Sequence, residues 1–280
     1  MRLAMIKISI IILSKNAGAG FADTLTAVYS QQDVPSFEVI ILDSGSTDGT
    51  LDVCAKFPAK VIQIPPAEFH HGRTRNYGAS LAEGDYIVFL VQDATPVGPS
   101  WLKNLVAPLE SNDKIAGAYS RNLPRPDASM RQAMEIEQYF QPNQQLQTSP
   151  TDHTFSNVSS VVRKRVFDQI PFPTVGFGED QLWAKQVLEA GYFIQYAASS
   201  VVVHSHHDDL DGAFQRGYQE GCHAKTIGHP GWHSSSAVII MEMLWELFRW
   251  AIRKDMKSCR YSITMAAWHL GFRKGYAAKR

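Results

Sequence analysis

Short apolar runs alternate with amphipathic stretches through the first half of the chain. The segments "KISIIIL" (7–13), "FEVIIL" (37–42), "KVIQI" (60–64), "DYIVFLV" (85–91) and "IAGAYS" (115–120) are mostly β-branched or aromatic and each predicts a strand. Helical spacing of apolar positions predicts helices near 20–32, 47–56, 73–83 and 99–111. Strand and helix taking turns in this way predict an α/β fold, a mainly parallel central sheet flanked by helices. Sites in such sheets collect at the carboxyl ends of strands, so Asp43, which follows "VIIL", and Asp93, which follows "VFLV", belong to one rim.

The texture changes after about residue 121. "RNLPRPDAS" has loop composition, and "QPNQQLQTSPTDHTFSN" (141–157) is polar with little periodicity, the kind of long loop expected to close over a substrate. Strand-like and helical text resumes with "VSSVVR", "GEDQLWAKQVLEAG", "YFIQYA" and "SVVVHS". From about 210 to the end the chain reads as a helical extension, broken at "GHPGW" (228–232).

Composition changes this picture little. The 27 basic residues balance 27 acidic ones, which removes a global field for nucleic acid, and three cysteines without CxxC spacing suggest neither a disulfide framework nor a cysteine zinc site. A reduced cytoplasmic setting fits best. The start "MRLAMIKISIIILSKN" is interrupted by Lys7 and reads as a first strand. "AVIIMEMLWELFRWAI" (237–252) is too short to span a bilayer and carries Glu242, Glu246 and Arg249 on one face. Its apolar stripe suits core packing or a homodimer seam. The basic run that follows, Arg249 to Arg280 with Asp255 as its one acid, offers instead a peripheral contact with the inner face of a membrane.

Several clusters could carry chemistry. "LDSGSTDGT" (42–50) is a turn into a helix in which Asp43, Ser44 and Gly45 either contact a ligand or only build the turn, and Asp48 or Thr47 caps. Asp93 is either a ligand-contacting carboxylate or the start of a loop. "FHHGRTRN" (69–76) places Gly72, Arg73 and Arg75 at a helix start, an arrangement that favours anions. "GFGED" (176–180) puts Glu179 and Asp180 in a first turn, where the helix dipole favours their ionised forms by ~0.3–1 kcal/mol each. An ionised Asp180 could serve as a general base. "HSHH" (204–207) is a metal-ligand cluster or a surface loop.

Taken in order, "SIIILSKN", "VIILDSGSTDGT", "GRTRNYGA", "VFLVQDATP" and "GFGEDQLWAKQVLEAG" resemble the family 2 glycosyltransferases of GT-A fold over about residues 7–205. "FHHGRTRN" and "FLVQDATP" are similar to the bacterial rhamnosyltransferases within it, with "QDA" standing where the family usually has an acidic triplet. The resemblance implies a catalytic domain over 1–209, its nucleotide-sugar half at 1–120 and its acceptor half at 121–209. It implies that Ser14, Lys15, Asn16, Asp43, Ser44, Gly45, His71, Gly72, Arg75, Asn76, Gln92 and Asp93 surround the donor, dTDP-L-rhamnose. It further implies that Asp93 and His204, with His206 and His207 as substitutes, hold Mg²⁺ or Mn²⁺, and that Asp180, beside Glu179, deprotonates the hydroxyl of a saccharide acceptor, free or lipid-linked, in an inverting transfer. Other sugars, such as galactofuranose or N-acetylglucosamine from UDP, and a non-catalytic nucleotide-sugar-binding subunit are the rival expectations.

Overall fold

The computed structural model describes residues 7–278 other than 129, 152, 206–209, 227–240, 242, 243, 246, 247 and 249–255. The chain divides into two compact units, one of Met1–Leu123, Phe140–Val175 and Glu179–His204, the other of Pro124–Tyr139, Gly176–Gly178 and Ser205–Arg280.

The first unit is built on a nine-stranded sheet. Strands β1 (Ile8–Ser14), β2 (Phe37–Asp43), β3 (Lys60–Gln63) and β4 (Tyr86–Val91) lie in the order β3-β2-β1-β4, all parallel. Helices α1 (Phe21–Tyr29), α2 (Thr50–Cys54) and α3 (His71–Ser80) connect them. β1 is buried along almost its whole length, as expected of a strand covered on both faces, and so reads as an unbroken apolar run.

Beyond β4 the sheet continues through β8 (Ser159–Arg163), β6 (Ile115–Leu123) and β9 (Phe193–Val203), with β5 (Thr95–Pro96) and β7 (Gln145–Gln147) pairing separate parts of β9. β8 is antiparallel to β4 and β6, while β6 and β9 run parallel. Six strands therefore share one direction, and the amino end of β8 joins the carboxyl ends of β1, β2, β4, β6 and β9 at one rim. Helices α4 (Trp101–Ser111), α6 (Lys164–Phe167) and α7 (Glu179–Glu189) complete the unit.

Two expectations need correction. "YFIQYA" and "SVVVHS" are not separate strands but one, β9, because the irregularity between them is absorbed as a register shift against β6 at Ser120/Arg121. The polar stretch 141–157 is not a structureless loop. It contains β7, and Gln147 locks it internally: its amide accepts from the Thr154 N–H at 2.6 Å and donates to the Thr154 carbonyl at 2.9 Å and to the Tyr119 hydroxyl at 3.2 Å. Phe155, in the same stretch, is wholly buried in the aromatic cluster with Tyr119 and Trp183.

The second unit contains α5 (Met130–Tyr139), α8 (Leu210–Thr226) and α9 (Met256–Ala277). Glycines let α8 and α9 meet backbone to backbone. A Cβ on Gly221 would sit 2.1 Å from the Phe272 carbonyl oxygen, and one on Gly275 would sit 2.0 Å from that of Tyr218. Gly217 and Gly271 are equally tight, so "GYQEG" and "GFRKG" form the two sides of one seam. Trp268 closes it by donating from Nε1 to Glu220 Oε2 at 3.1 Å.

Candidate active site

Three strand ends are knitted together on one side of the rim. The loop after β1 and the turn after β2 exchange hydrogen bonds: Asn16 N–H donates to Ser46 Oγ at 2.8 Å, Thr47 N–H to Asn16 Oδ1 at 2.8 Å and Gly18 N–H to Asp48 Oδ2 at 2.9 Å. Asn16 takes a left-handed φ of 47° to do this. Gln92 ties in β4, accepting from Lys15 N–H at 2.8 Å and donating to the Lys15 carbonyl at 3.2 Å.

Asp43 organises the same corner. Its carboxylate is 0% exposed and accepts from the hydroxyls of Ser14 and Ser46 and from the N–H groups of Gly45 and Ser46. Burial alone would raise its pKa, but the donors on Ser46, Ser14 and Gly45 together hold it below the ordinary value. Ser44 bonds the Ser14 carbonyl, and Gly45 is required both by its φ of +89° and because a Cβ there would meet Pro66 at 2.7 Å. Asp48 is a turn residue, accepting from the N–H and hydroxyl of Thr50, and the cap of α2 falls on Gly49.

At the exit of β4, Asp93 has a side chain 45% exposed, and its Oδ2 lies 3.7 Å from Nε2 of His204. His204 is only 6% exposed and is held by its backbone N–H, which donates to the Leu123 carbonyl at 2.9 Å. The lone acid of "QDA" thus acquires an imidazole neighbour from the end of β9, a pairing across more than a hundred residues of chain. His206 and His207 lie outside the described residues. Among the described residues no cluster of three metal-ligating side chains occurs. A carboxylate and an imidazole at this spacing could both ligate one borderline divalent cation.

The junction of α3 and α7 forms the opposite side. Arg75 Nη1 donates to Glu179 Oε1 at 2.5 Å, and Arg75 is 7% exposed. Gly72 permits this approach, since a Cβ there would lie 2.8 Å from the Pro173 carbonyl and 3.4 Å from Glu179 Cβ. Asn76 clasps the approach to α7, donating to the Phe172 carbonyl at 2.8 Å and accepting from its N–H at 3.1 Å. His71 stands exposed at the start of α3, edge-on to Phe69. Arg75 and Asn76 therefore spend these contacts on the α3–α7 junction, a use that their helix-start position did not suggest.

Asp180 is half-buried, and its Oδ1 and Oδ2 accept from the N–H groups of Gln181 at 2.8 Å and Asn157 at 3.2 Å. Here the expectation from the helix dipole is reversed. Burial first, then the adjacent Glu179, push the carboxyl up to about 6 against the lowering effect of Asn157, Arg75 and Gln181. A carboxylate ionised at neutral pH yet basic enough to take a proton is better matched to general-base work than an ordinary aspartate.

Sequence reasoning missed Asn157. It precedes β8 by two residues, and because Leu90 pairs with Ser159 and Val91 N–H bonds the Val158 carbonyl at 3.0 Å, it falls opposite Gln92. It thereby links the β4 exit to Asp180. Its only sequence signal is a polar residue immediately before a buried strand, which turn residues give routinely.

With strand ends, acid–imidazole pair and acidic helix start on one rim, comparison with known proteins becomes specific. The profile of the family described as Glycosyl transferase family 2 matches residues 9–171. The chain belongs to glycosyltransferase family 2. The matched span of this glycosyltransferase holds Ser14, Asp43, Arg75 and Asp93, while Asp180 and His204 lie beyond it. The chain is 32% identical over 226 residues to the O-antigen chain rhamnosyltransferase WbaN of Salmonella anatum, covering 76% of this chain and 70% of the relative. It is also 32% identical over 228 residues to the O-antigen chain rhamnosyltransferase RfbN of Salmonella typhimurium, covering 77% and 71%.

Solved structures agree on the GT-A architecture. The mannosyltransferase PcManGT from Pyrobaculum calidifontis, in complex with GDP-Man and Mn²⁺, superimposes with a TM-score of 0.68 over 98% of this chain and 88% of its own, at 16% identity. Staphylococcus aureus TarS 1–349, in complex with UDP-GlcNAc, does so at 0.60 over 92% and 90%, at 18% identity. Identities this low speak to the fold alone.

Proposed function

We propose that this glycosyltransferase moves L-rhamnose from dTDP-L-rhamnose, with inversion, onto a sugar hydroxyl of a cell-surface polysaccharide or lipid-linked oligosaccharide. The observation that carries the reading is the single carboxyl of Asp180, raised to about 6 and held by two backbone N–H groups at the start of α7. Identity to two O-antigen rhamnosyltransferases across three quarters of the chain supports the choice of sugar.

In this reading Asp180 takes the proton of the acceptor hydroxyl as that oxygen attacks the anomeric carbon. One base and one displacement invert the centre. Glu179 is engaged by Arg75 at the α3–α7 junction. The corner formed by Ser14, Asn16, Asp43, Ser44, Gly45 and Gln92 receives the nucleotide, its shape fixed by the internal hydrogen bonds of the β1 and β2 loops. Asp93 and His204 would hold a divalent cation, which when bound stabilises the charge that grows on the departing diphosphate. His71, Gly72 and Asn76 shape the α3 side of the donor site through the junction with α7.

UDP-N-acetylglucosamine is the rival donor. A purified-enzyme panel of dTDP-L-rhamnose, UDP-N-acetylglucosamine, UDP-galactofuranose and GDP-mannose, each with and without Mn²⁺, distinguishes them. Turnover confined to dTDP-L-rhamnose and enhanced by Mn²⁺ is expected. Turnover with another donor alone overturns the choice of sugar, and absence of any turnover favours a non-catalytic subunit.

We also propose that the helical extension meets an anionic membrane surface. No helix among the described residues is long and apolar enough to cross a membrane. Met241, Leu244, Trp245 and Phe248 share helical spacing and are all exposed, with Trp245 stacked on Phe248 at 5.8 Å, and the basic run follows directly. Co-sedimentation with phosphatidylglycerol vesicles, lost in Trp245→Ser/Phe248→Ser, is the expected behaviour.

A further inference from the structure

Asn157 is 3% exposed and lies between the two acids of the site, its backbone N–H on Asp180 Oδ2 and its register position opposite Gln92. The Ser160 hydroxyl satisfies one arm of its carboxamide, at 2.9 Å from Oδ1. The other arm, Nδ2, is a buried donor with no partner among the described residues. Buried donors in native proteins are almost always satisfied, and one left open on the residue whose backbone N–H holds the Asp180 carboxyl calls for an acceptor from outside the chain, a ligand or a water.

The surroundings restrict what that acceptor is. The Asp180 carboxyl is bonded to the Asn157 N–H, so an anionic oxygen such as phosphate is disfavoured there. A neutral hydroxyl oxygen is favoured, because it can accept from Nδ2 while donating its own proton elsewhere. The Asp180 carboxylate and the Asn157 carboxamide, on residues joined by the Asn157 N–H to Asp180 Oδ2 bond, are an acceptor and a donor of the kind that a sugar's hydroxyl groups match.

We infer that Asn157 is a specificity-determining residue whose Nδ2 donates to a saccharide hydroxyl oxygen in the substrate complex. The inference rests on the glycosyl-transfer reading. The hydroxyl belongs either to the donor sugar or to the acceptor. A site that hydrogen-bonds a substrate hydroxyl discriminates through the penalty of leaving its own buried group unpaired, so Asn157 sets which sugars are accepted while Asp180 performs the proton transfer.

Two variants test this. Asn157→Ala removes the carboxamide, and Asn157→Asp keeps its size and the Ser160 bond while removing the N–H donor. Binding of dTDP-L-rhamnose and of dTDP is measured by calorimetry, and the acceptor KM by steady-state transfer. If the hydroxyl is the donor's, both variants weaken dTDP-L-rhamnose about 10-fold and leave dTDP within about twofold. If it is the acceptor's, both nucleotide affinities hold and the acceptor KM rises about 10-fold. A 10-fold change corresponds to about 1.4 kcal/mol. Unchanged affinities and KM in both variants, with or without a lowered Tm, would mean that Nδ2 is structural or water-bonded and would overturn the inference. Failure of the wild-type protein to bind either dTDP compound counts against the proposed donor instead, and the same comparison then runs with UDP-N-acetylglucosamine against UDP.

Discussion

Arg75 and Glu179 face each other across the junction of α3 and α7, Nη1 to Oε1 at 2.5 Å, with both side chains more than nine-tenths buried. A buried pair of this kind contributes little net stability, but removing one partner strands the other's charge. Arg75→Met should therefore destabilise the protein by about 3–5 kcal/mol, while Arg75→Met/Glu179→Met recovers most of the loss. Thermal denaturation of the two variants checks this. Because Arg75 also lowers the Asp180 pKa, the single variant should shift the acid limb of the pH–rate profile upward.

The raised pKa of Asp180 has opposite consequences for activity and stability. Transfer requires the ionised base, so kcat/KM should fall about tenfold per pH unit below about 6 and level off above it. For stability, a carboxyl with a folded pKa above its unfolded value binds its proton more tightly when folded. Its contribution is full below the ordinary value of 3.8 and is lost as pH rises to about 6. Asp180→Asn should thus melt above the wild type at pH 7, by on the order of 1–3 kcal/mol given partial exposure, with the gap closing near pH 4. Equal melting curves at pH 7 would contradict the shift.

The seam between α8 and α9 depends on glycine. Gly221→Ala places a methyl 2.1 Å from the Phe272 carbonyl oxygen, a backbone atom that cannot rotate away. The helices must separate, at a cost of about 1–3 kcal/mol. A lowered Tm with unchanged nucleotide affinity is expected, and an unchanged Tm would show that the seam is looser than it stands here.

Much of the fold was legible because buried parallel strands write themselves as continuous β-branched runs. β1, β2, β3, β4 and β6 begin and end within a few residues of their expected limits. The two-residue β5 carries no periodicity, and β7 sits in polar text because only one of its three residues is buried. The glycine seam was not read from the sequence, because the spacings 217–221 and 271–275 gain meaning only when opposed to each other. The pairing of Asp93 with His204 was foreshadowed by a family resemblance, not by spacing, since the residues lie far apart in sequence. The direction of the Asp180 shift was not legible at all. A helix dipole can be read from an acidic first turn, whereas the burial of Asp180 and its crowding by Glu179 take effect only once the chain has folded.

The most direct test of glycosyl transfer by this site is single-turnover transfer by Asp180→Asn, with dTDP-L-rhamnose affinity measured on the same preparation. General-base removal should slow transfer by about 10²–10⁴-fold, with donor affinity within about twofold of the wild type. Transfer at the wild-type rate by a folded Asp180→Asn protein would remove Asp180 from the base role and contradict the account.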